Sequence, residues 1–253
     1  MDHKSSIREQ VFVNLRKVAF PDSRFHFDFG EFITDFEGGD AAVERLVAHR
    51  FYQEAEVIFI TPDNCIERLR HRALLDGKRV LTTTYSIKRG FWLLDPADIE
   101  PDRLLYASTL DGMEREGRAL SLSDIPEAVG RVDYLVTGTG AINEMGVRFG
   151  KGHGFFDSEW AMLYRMGVIN LESPVAAVVH DCQLLDAEFH PEVFDTVADV
   201  VFTPTRTLEV NGPHKPDCGI VWDLLDPVML DTIPPIQELL QLEKAGDARL
   251  QFA

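Results

Sequence analysis

Cysteine is scarce. Cys65, Cys182 and Cys218 are the only three among 253 residues, and no two of them approach a Cys-x-x-Cys spacing. Neither a disulfide framework nor a paired zinc site is expected, and a reducing compartment is the simple inference. Cations are also few: Lys and Arg total 25 against 42 Asp and Glu, a formal net charge of -17. Binding a nucleic-acid backbone requires clustered cations, so no nucleic-acid partner is expected. Long apolar runs are missing; none approaches the roughly 18 residues of a spanning helix. The opening Met1-Asp2-His3-Lys4-Ser5-Ser6 has no apolar signal core. The expectation is a cytoplasmic protein with no membrane partner. There is no internal repeat and no low-complexity linker, so one domain over 1–253 is preferred to two small ones.

What is present is an alternation of two hydrophobic periods. Ser5 or Ser6 is placed to cap a helix whose apolar stripe is Ile7, Val11, Leu15 and Val18, stopped by Pro21. Five phenylalanines follow between Phe25 and Phe36 without helix spacing, suited either to an apolar ligand slot or to covering an edge of the core. Then come a helix from Ala41 to His49, a buried strand over 55–60, a helix opened by Pro62-Asp63 and closed by Gly77, and a strand over 79–83. The segment 98–118 is acidic and weakly periodic, and a surface excursion is expected there. A short helix near 125–129, apolar strands over 132–136, 174–179 and 197–202, and a helix over 158–166 continue the pattern. This order predicts an α/β fold, a mostly parallel sheet with helices on both faces and ligands at the carboxyl ends of the strands. Residues 207–253, with Trp222 and a helix over 236–243, read as a C-terminal extension packed on that domain.

The densest chemical signal is Arg148-Phe-Gly-Lys-Gly-His-Gly-Phe-Phe-Asp157, followed directly by the apolar Trp160-Ala-Met-Leu-Tyr164. Glycines permit close backbone approach, and the first free N–H groups of a helix favour an anion, so a phosphate is the natural guest. Arg148 and Lys151 would add charge-assisted contacts. A tight glycine turn with solvated charges is the plainer alternative. The spacing is neither a Walker loop, since no Ser or Thr follows Lys151, nor the Gly-x-Gly-x-x-Gly of a dinucleotide fold. Three predicted strands end in polar clusters: Thr137 to Gly140, His180-Asp181-Cys182-Gln183, and Thr203-Pro-Thr-Arg206. His180 or Asp181 is a candidate acid or base and Arg206 a candidate anion clamp, with structural hydrogen bonds and a loop-bracing ion pair as the respective alternatives.

The glycine motif resembles the Arg-Leu-Gly-x-Gly-x-Gly-Tyr-Tyr-Asp of 5-formyltetrahydrofolate cyclo-ligases, and Lys4-Ser-Ser-Ile-Arg8 resembles their N-terminal Lys-x-x-Leu-Arg. The likeness extends through Gln183, Asp195 and Thr203 to about Arg206. It implies a sheet fold of the NagB/RpiA/CoA-transferase type that binds ATP and Mg2+. By the resemblance, Arg148, Lys151 and Asp157 are catalytic, and Asp157 meets the metal. Lys4, Arg8, Gly150, Gly152, His153, Gly154, Phe155 and Arg206 would hold the nucleotide. The implied reaction converts 5-formyltetrahydrofolate to 5,10-methenyltetrahydrofolate: ATP activates the formyl oxygen, and ring closure then expels phosphate. His153, Phe155, Phe156 and Ser158 depart from the common motif. Together with the pattern Gly-Phe-x-Asp-x-Glu-x-Ala-x-Leu they resemble a divergent branch, the methenyltetrahydrofolate synthetase domain-containing proteins. That branch leaves two alternatives, ATP chemistry on another formamide-like or heterocyclic metabolite, and a non-catalytic folate- or nucleotide-binding protein.

Overall fold

A computed structural model describes residues 3–150 and 154–251, and only the backbone of residues 3–6. The strands among them are β1 (Val57–Ile60), β2 (Arg79–Thr83), β3 (Phe91–Leu94), β4 (Arg118–Leu120), β5 (Tyr134–Gly138), β6 (Ala141–Asn143), β7 (Arg148–Phe149), β8 (Val175–Val178), β9 (Leu184–Leu185), β10 (Val200–Phe202) and β11 (Thr207–Glu209). Eight of them form one sheet in the order β11-β10-β8-β5-β1-β2-β3-β4, and β7-β6-β9 form a small second sheet. The five central strands of the large sheet pair in parallel. The outer β3, β4 and β11 pair antiparallel. The α/β class and the mostly parallel sheet expected from the alternating periods are present.

Both faces of the sheet are covered, and the strands divide their side chains accordingly. Val57 and Phe59 point to one face, with Leu135, Ala177 and the helices Phe155–Arg165 and Pro234–Ala245. Ile58 and Ile60 point to the other, with Val136, Val178 and the helices Gly39–Ala48 and Glu67–Leu75. Every residue of β1, β5 and β8 is buried, as strands covered on both sides require. The crossover from β1 to β2 runs through one face and that from β5 to β8 through the other. Strand order therefore reverses between β1 and β5. A cleft at the carboxyl ends of that pair is where such sheets bind ligands.

Three local expectations differ from the structure. The N-terminal helix is His3–Leu15; Val11 and Leu15 are buried, and Val18 lies in the turn beyond. The stretch 98–118 is not a surface excursion, because Ile99, Leu104, Ala107 and Met113 are all buried on the sheet. Its apolar residues are split over short helices, Leu104–Ala107 and Met113–Glu116, too brief to show a period. The small sheet was not expected, since its strands are two or three residues long. It holds Phe149 against Val11, Ala141 and Phe189, and so fixes Arg148.

Residues 216–250 also join the core. Lys215 Nζ lies 2.6 Å from Asp199 Oδ2 and donates to the Ser173 carbonyl at 2.7 Å. Trp160 Nε1 donates to the Pro216 carbonyl at 3.1 Å. Met229, Ile233, Ile236 and Leu239 pack into the same cluster as Trp160. No described helix is long and apolar enough to cross a membrane.

Candidate active site

The cleft at the switch point is a cavity of about 290 Å³. Its floor comes from three strand ends. Thr61 to Asn64 follow β1, Thr83 to Ile87 close β2, and Thr137-Gly138 end β5. Asp63 ties two of these together, since its Oδ2 accepts from Thr61 Oγ1 at 2.5 Å and from the Gly138 N–H at 2.9 Å. Gly138 leaves room for this closeness; a Cβ there would meet Cys65 Sγ at 2.6 Å. Beneath the loop, the fully buried Arg70 donates to the carbonyls of Thr61 at 2.7 Å, Asp63 at 3.2 Å and Ser108 at 2.8 Å. After β2 the wall passes through Ser86 and Ile87, at φ 53° and 58°. A buried isoleucine in the left-handed region is strained, and it persists where surrounding contacts hold it. Here the Ile87 N–H donates to the Thr84 carbonyl at 2.8 Å, and the Arg89 N–H donates to Thr84 Oγ1 at 2.8 Å.

The opposite wall is built from the glycine segment. Arg148 on β7 donates from Nη2 to Asp157 Oδ1 at 2.6 Å, and its guanidinium carbon sits 4.3 Å from the centre of the Phe156 ring. Asp157 Oδ1 also accepts from the Thr196 N–H at 2.9 Å. Burial pushes the Asp157 carboxyl up, opposed by Arg148 and the Thr196 hydrogen bond. Arg8 approaches from the N-terminal helix, 5.5 Å from the centre of the Phe149 ring. The Nε atoms of both Arg8 and Arg148 are buried with no hydrogen-bond partner among the described residues. Both arginines line the cavity, and two cations bordering one cavity suit an anionic guest. Gly154, at φ +67°, precedes the helix Phe155–Arg165, whose first N–H groups open beside the same cavity.

Of the residues singled out in the sequence, Arg8, Arg148, Gly150, Gly154, Phe155 and Asp157 all line this cavity. Lys151, Gly152 and His153 lie outside the described residues, as does the side chain of Lys4. Arg206 is elsewhere, half exposed and 3.6 Å from Glu144 Oε1. His180 and Asp181 are engaged locally. His180 Nδ1 accepts from the Cys182 N–H at 3.1 Å, and Asp181 Oδ1 accepts from Thr203 Oγ1 at 2.5 Å and Thr205 Oγ1 at 2.6 Å. Gln183 donates to the carbonyls of Thr139 at 2.7 Å and Gly140 at 3.1 Å, bracing the turn into β6. Among the phenylalanines, Phe29, Phe32 and Leu15 form a buried cluster, and Phe32 reaches the cavity.

Reading from sequence placed Glu159 in the divergent-branch pattern but gave it no role in the site. It lies between Phe156 and Trp160 on the helix face that enters the core, is 2% exposed, and lines the cavity. Thr83 Oγ1 donates to its Oε1. Burial lifts its carboxyl to about 8, with Asp63 and Asp157 raising it further and Thr83 and Arg148 opposing. The available signal was an acid on an otherwise apolar helical stripe. A metal reading gains less from the geometry. The described residues contain no group of three His, Cys, Asp or Glu placed to hold an ion, and Asp157 Oδ1 is shared between Arg148 and Thr196.

Comparison with known proteins bears on the family and the fold. The model of the 5-formyltetrahydrofolate cyclo-ligase family matches residues 1–204. A methenyltetrahydrofolate synthase domain-containing protein of Danio rerio is 32% identical over 215 residues, covering 84% of this chain and 55% of that protein. The Homo sapiens protein of the same name is 29% identical over 253 residues, covering 98% of this chain and 64% of its own length. The chain thus spans less than two thirds of these relatives. Among solved structures, the 5,10-methenyltetrahydrofolate synthetase of Aquifex aeolicus has a TM-score of 0.51 at 14% identity, over 84% of this chain and 95% of its own, which is a likeness of fold. With the family match running from the N-terminal helix through β10, the chain belongs to the 5-formyltetrahydrofolate cyclo-ligase family.

Proposed function

We propose that this chain is an ATP-dependent cyclo-ligase that converts 5-formyltetrahydrofolate to 5,10-methenyltetrahydrofolate. The observation that carries the proposal is that Arg8 and Arg148, brought from separate elements, line one cavity. They fit the phosphates of a nucleotide, and the helix beginning at Phe155 adds free N–H groups beside them. When bound, ATP supplies a phosphoryl group to the formyl oxygen, so that phosphate can leave as the neighbouring folate nitrogen closes the ring.

The residues divide that work. Arg148 would hold the transferring group, and Asp157 keeps Arg148 aimed through the 2.6 Å contact. Arg8 supplies a second cation from another element, so the charge is met from two directions. Phe32, Phe155 and Phe156 line the cavity with aromatic carbon and limit water there. Asp63, held by Thr61 and Gly138, fixes the floor on which a ring system would rest. Lys151, within the glycine segment, is proposed as a further phosphate contact. Magnesium would arrive on the nucleotide's phosphates, as this ion usually does, and no step is assigned to a protein metal centre.

The test is purified protein with MgATP and 5-formyltetrahydrofolate, following methenyl product by near-ultraviolet absorbance and phosphate release in parallel. Product with matching phosphate supports the proposal, and its loss in Arg148→Ala with folding intact places the chemistry at this cavity. One observation favours a second reading. Phe155 and Phe156 line the cavity where the common family motif has tyrosines, and Glu159 joins them. No product from formylfolate, with ATP binding intact, would move the substrate to another formamide-like metabolite.

A further inference from the structure

We infer that Arg24 recognises a carboxylate on the substrate: the terminal edge of its guanidinium, on the strand-end side of the cavity, pairs with a carboxylate of the benzoylglutamate tail. The inference rests on the reading of this cavity as a folate site, and it adds the residue that selects a substrate with an acidic tail.

Arg24 lines the cavity beside Asn64 and Tyr85, which follow β1 and β2. Its position is set by the buried Asp22. Asp22 Oδ1 accepts from the N–H groups of Arg24 at 2.7 Å and Phe25 at 3.2 Å, and Oδ2 accepts from Asn64 Nδ2 at 2.9 Å. The same carboxylate takes Arg24 Nε at 3.2 Å and Nη2 at 3.1 Å. Those two nitrogens form one edge of the planar guanidinium. The terminal edge, Nη1 with the second N–H of Nη2, donates to no described residue. The plane is also held from its face, since the guanidinium carbon lies 4.9 Å from the centre of the Phe25 ring and 5.2 Å from that of Tyr85. Those two rings stack with centres 5.5 Å apart. Bracing the loop would need the Asp22 contact alone. Here the arginine is fixed in plane with a second two-donor edge left open.

The charges around the cavity decide what that edge binds. The described cations lining it are Arg8, Arg24 and Arg148. Arg148 donates to Asp157, and Arg8 and Arg148 stand against Phe149 and Phe156 on the glycine-segment wall. Asp63, Glu192 and Asp195 also line the cavity, and Glu31 accepts from the Tyr85 hydroxyl at 3.2 Å on Arg24's own rim. An anionic group away from any cation is therefore repelled, and one remote from the phosphate contacts has Arg24 as its counter-ion. An arginine already held presents paired N–H groups that match a carboxylate, with little ordering left to do. With its side chain 39% exposed, Arg24 sits at the mouth, where a tail leaves the cavity. Tyr85 adds an aromatic face beside that edge. The group this rim suits is a carboxylate carried next to an aromatic ring, as on the benzoylglutamate end of 5-formyltetrahydrofolate.

Binding to the full chain is measured by calorimetry for 5-formyltetrahydrofolate and for its diamide, in which both glutamate carboxylates are carboxamides. Wild type, Arg24→Gln and Arg8→Gln are compared, with thermal unfolding to confirm folding. Wild type should bind the substrate at least about tenfold more tightly than the diamide. In Arg24→Gln the two ligands should differ by less than about threefold, while Arg8→Gln should keep the wild-type preference. Equal affinity of wild type for the two ligands overturns the assignment without need of a variant. A preference that survives in Arg24→Gln, or that disappears in Arg8→Gln, overturns it as well. Folded wild type that binds MgATP but neither ligand removes the substrate proposed above, and the role of Arg24 with it; wild type that binds both ligands alike removes this assignment and leaves that substrate standing.

Discussion

Replacing Glu159 by Gln should make the stability of this protein less sensitive to alkaline pH. The acid has an ordinary value of 4.5 and is lifted by burial to about 8. Because the folded-state value is the higher one, the stability linked to its proton is fully present below 4.5 and is lost as pH rises to about 8. At about 1.36 kcal/mol per unit, the loss is about 3 kcal/mol at pH 7 and about 5 kcal/mol above pH 8. Glutamine keeps a carbonyl for Thr83 and cannot ionise, so it escapes that loss. Urea unfolding of both proteins at about pH 5 and pH 9 should show Glu159→Gln gaining about 4 kcal/mol relative to wild type between the two. A difference that stays constant within about 0.5 kcal/mol would refute both the burial of this acid as a neutral group and the charge balance assigned to the cavity.

Arg148→Met leaves Asp157 buried without its cation and should destabilise the fold by about 2–4 kcal/mol in urea unfolding; adding Asp157→Leu should restore at least half of that without restoring nucleotide affinity. Gly138→Ala places a methyl 2.6 Å from Cys65 Sγ and 2.7 Å from Ile33 Cγ2, so a loss of about 1–3 kcal/mol is expected by thermal unfolding. Lys215→Met removes the partner of Asp199, whose carboxylate then keeps, among the described residues, the Val175 N–H at 2.6 Å. A loss of about 3 kcal/mol should accompany faster amide exchange over 216–245.

The parts of the fold legible in the sequence were those with long, uninterrupted periods. β1, β2, β5, β8 and β10 are apolar runs closed by Gly, Pro or polar clusters, and the helix over the glycine segment has a clear apolar stripe. β6, β7 and β9 are too short to carry a period. They exist because Phe149 and Leu184 find partners distant in sequence. The site was legible for a similar reason: Arg148, Gly150, Gly154 and Asp157 are close in sequence, whereas Glu159 and Thr83 are 76 residues apart and Asp63 and Gly138 are 75 apart. Three polar strand ends were visible after β5, β8 and β10, but only the first reaches the cavity. The sheet reverses between β5 and β1, so the glycine segment faces the ends of β1 and β2. The clusters after β8 and β10 bond to each other instead, through Asp181 to Thr203 and Thr205.

One helix explains why site and core are not separable here. Phe155–Arg165 turns Asp157 toward Arg148, Glu159 toward Thr83, and Trp160 into the core, all within two turns. Its other end is held by residues beyond the 204 that the family model matches: Arg165 Nε lies 3.0 Å from Glu243 Oε1, and Arg165 also donates to the Gln251 carbonyl. Trp222 Nε1 donates to Glu243 Oε2 at 2.8 Å, closing that clamp. A second cavity of about 210 Å³ lies between the helix and this extension and shares Gly154, Asp157 and Phe194 with the first. The extension therefore fixes the rotation and tilt of the helix that presents both carboxyl groups. A shift of about 1 Å in that helix would move both carboxyl groups relative to Arg148 and Thr83. Residues 216–251 thus touch the cavity through the helix they hold, although none of them lines it.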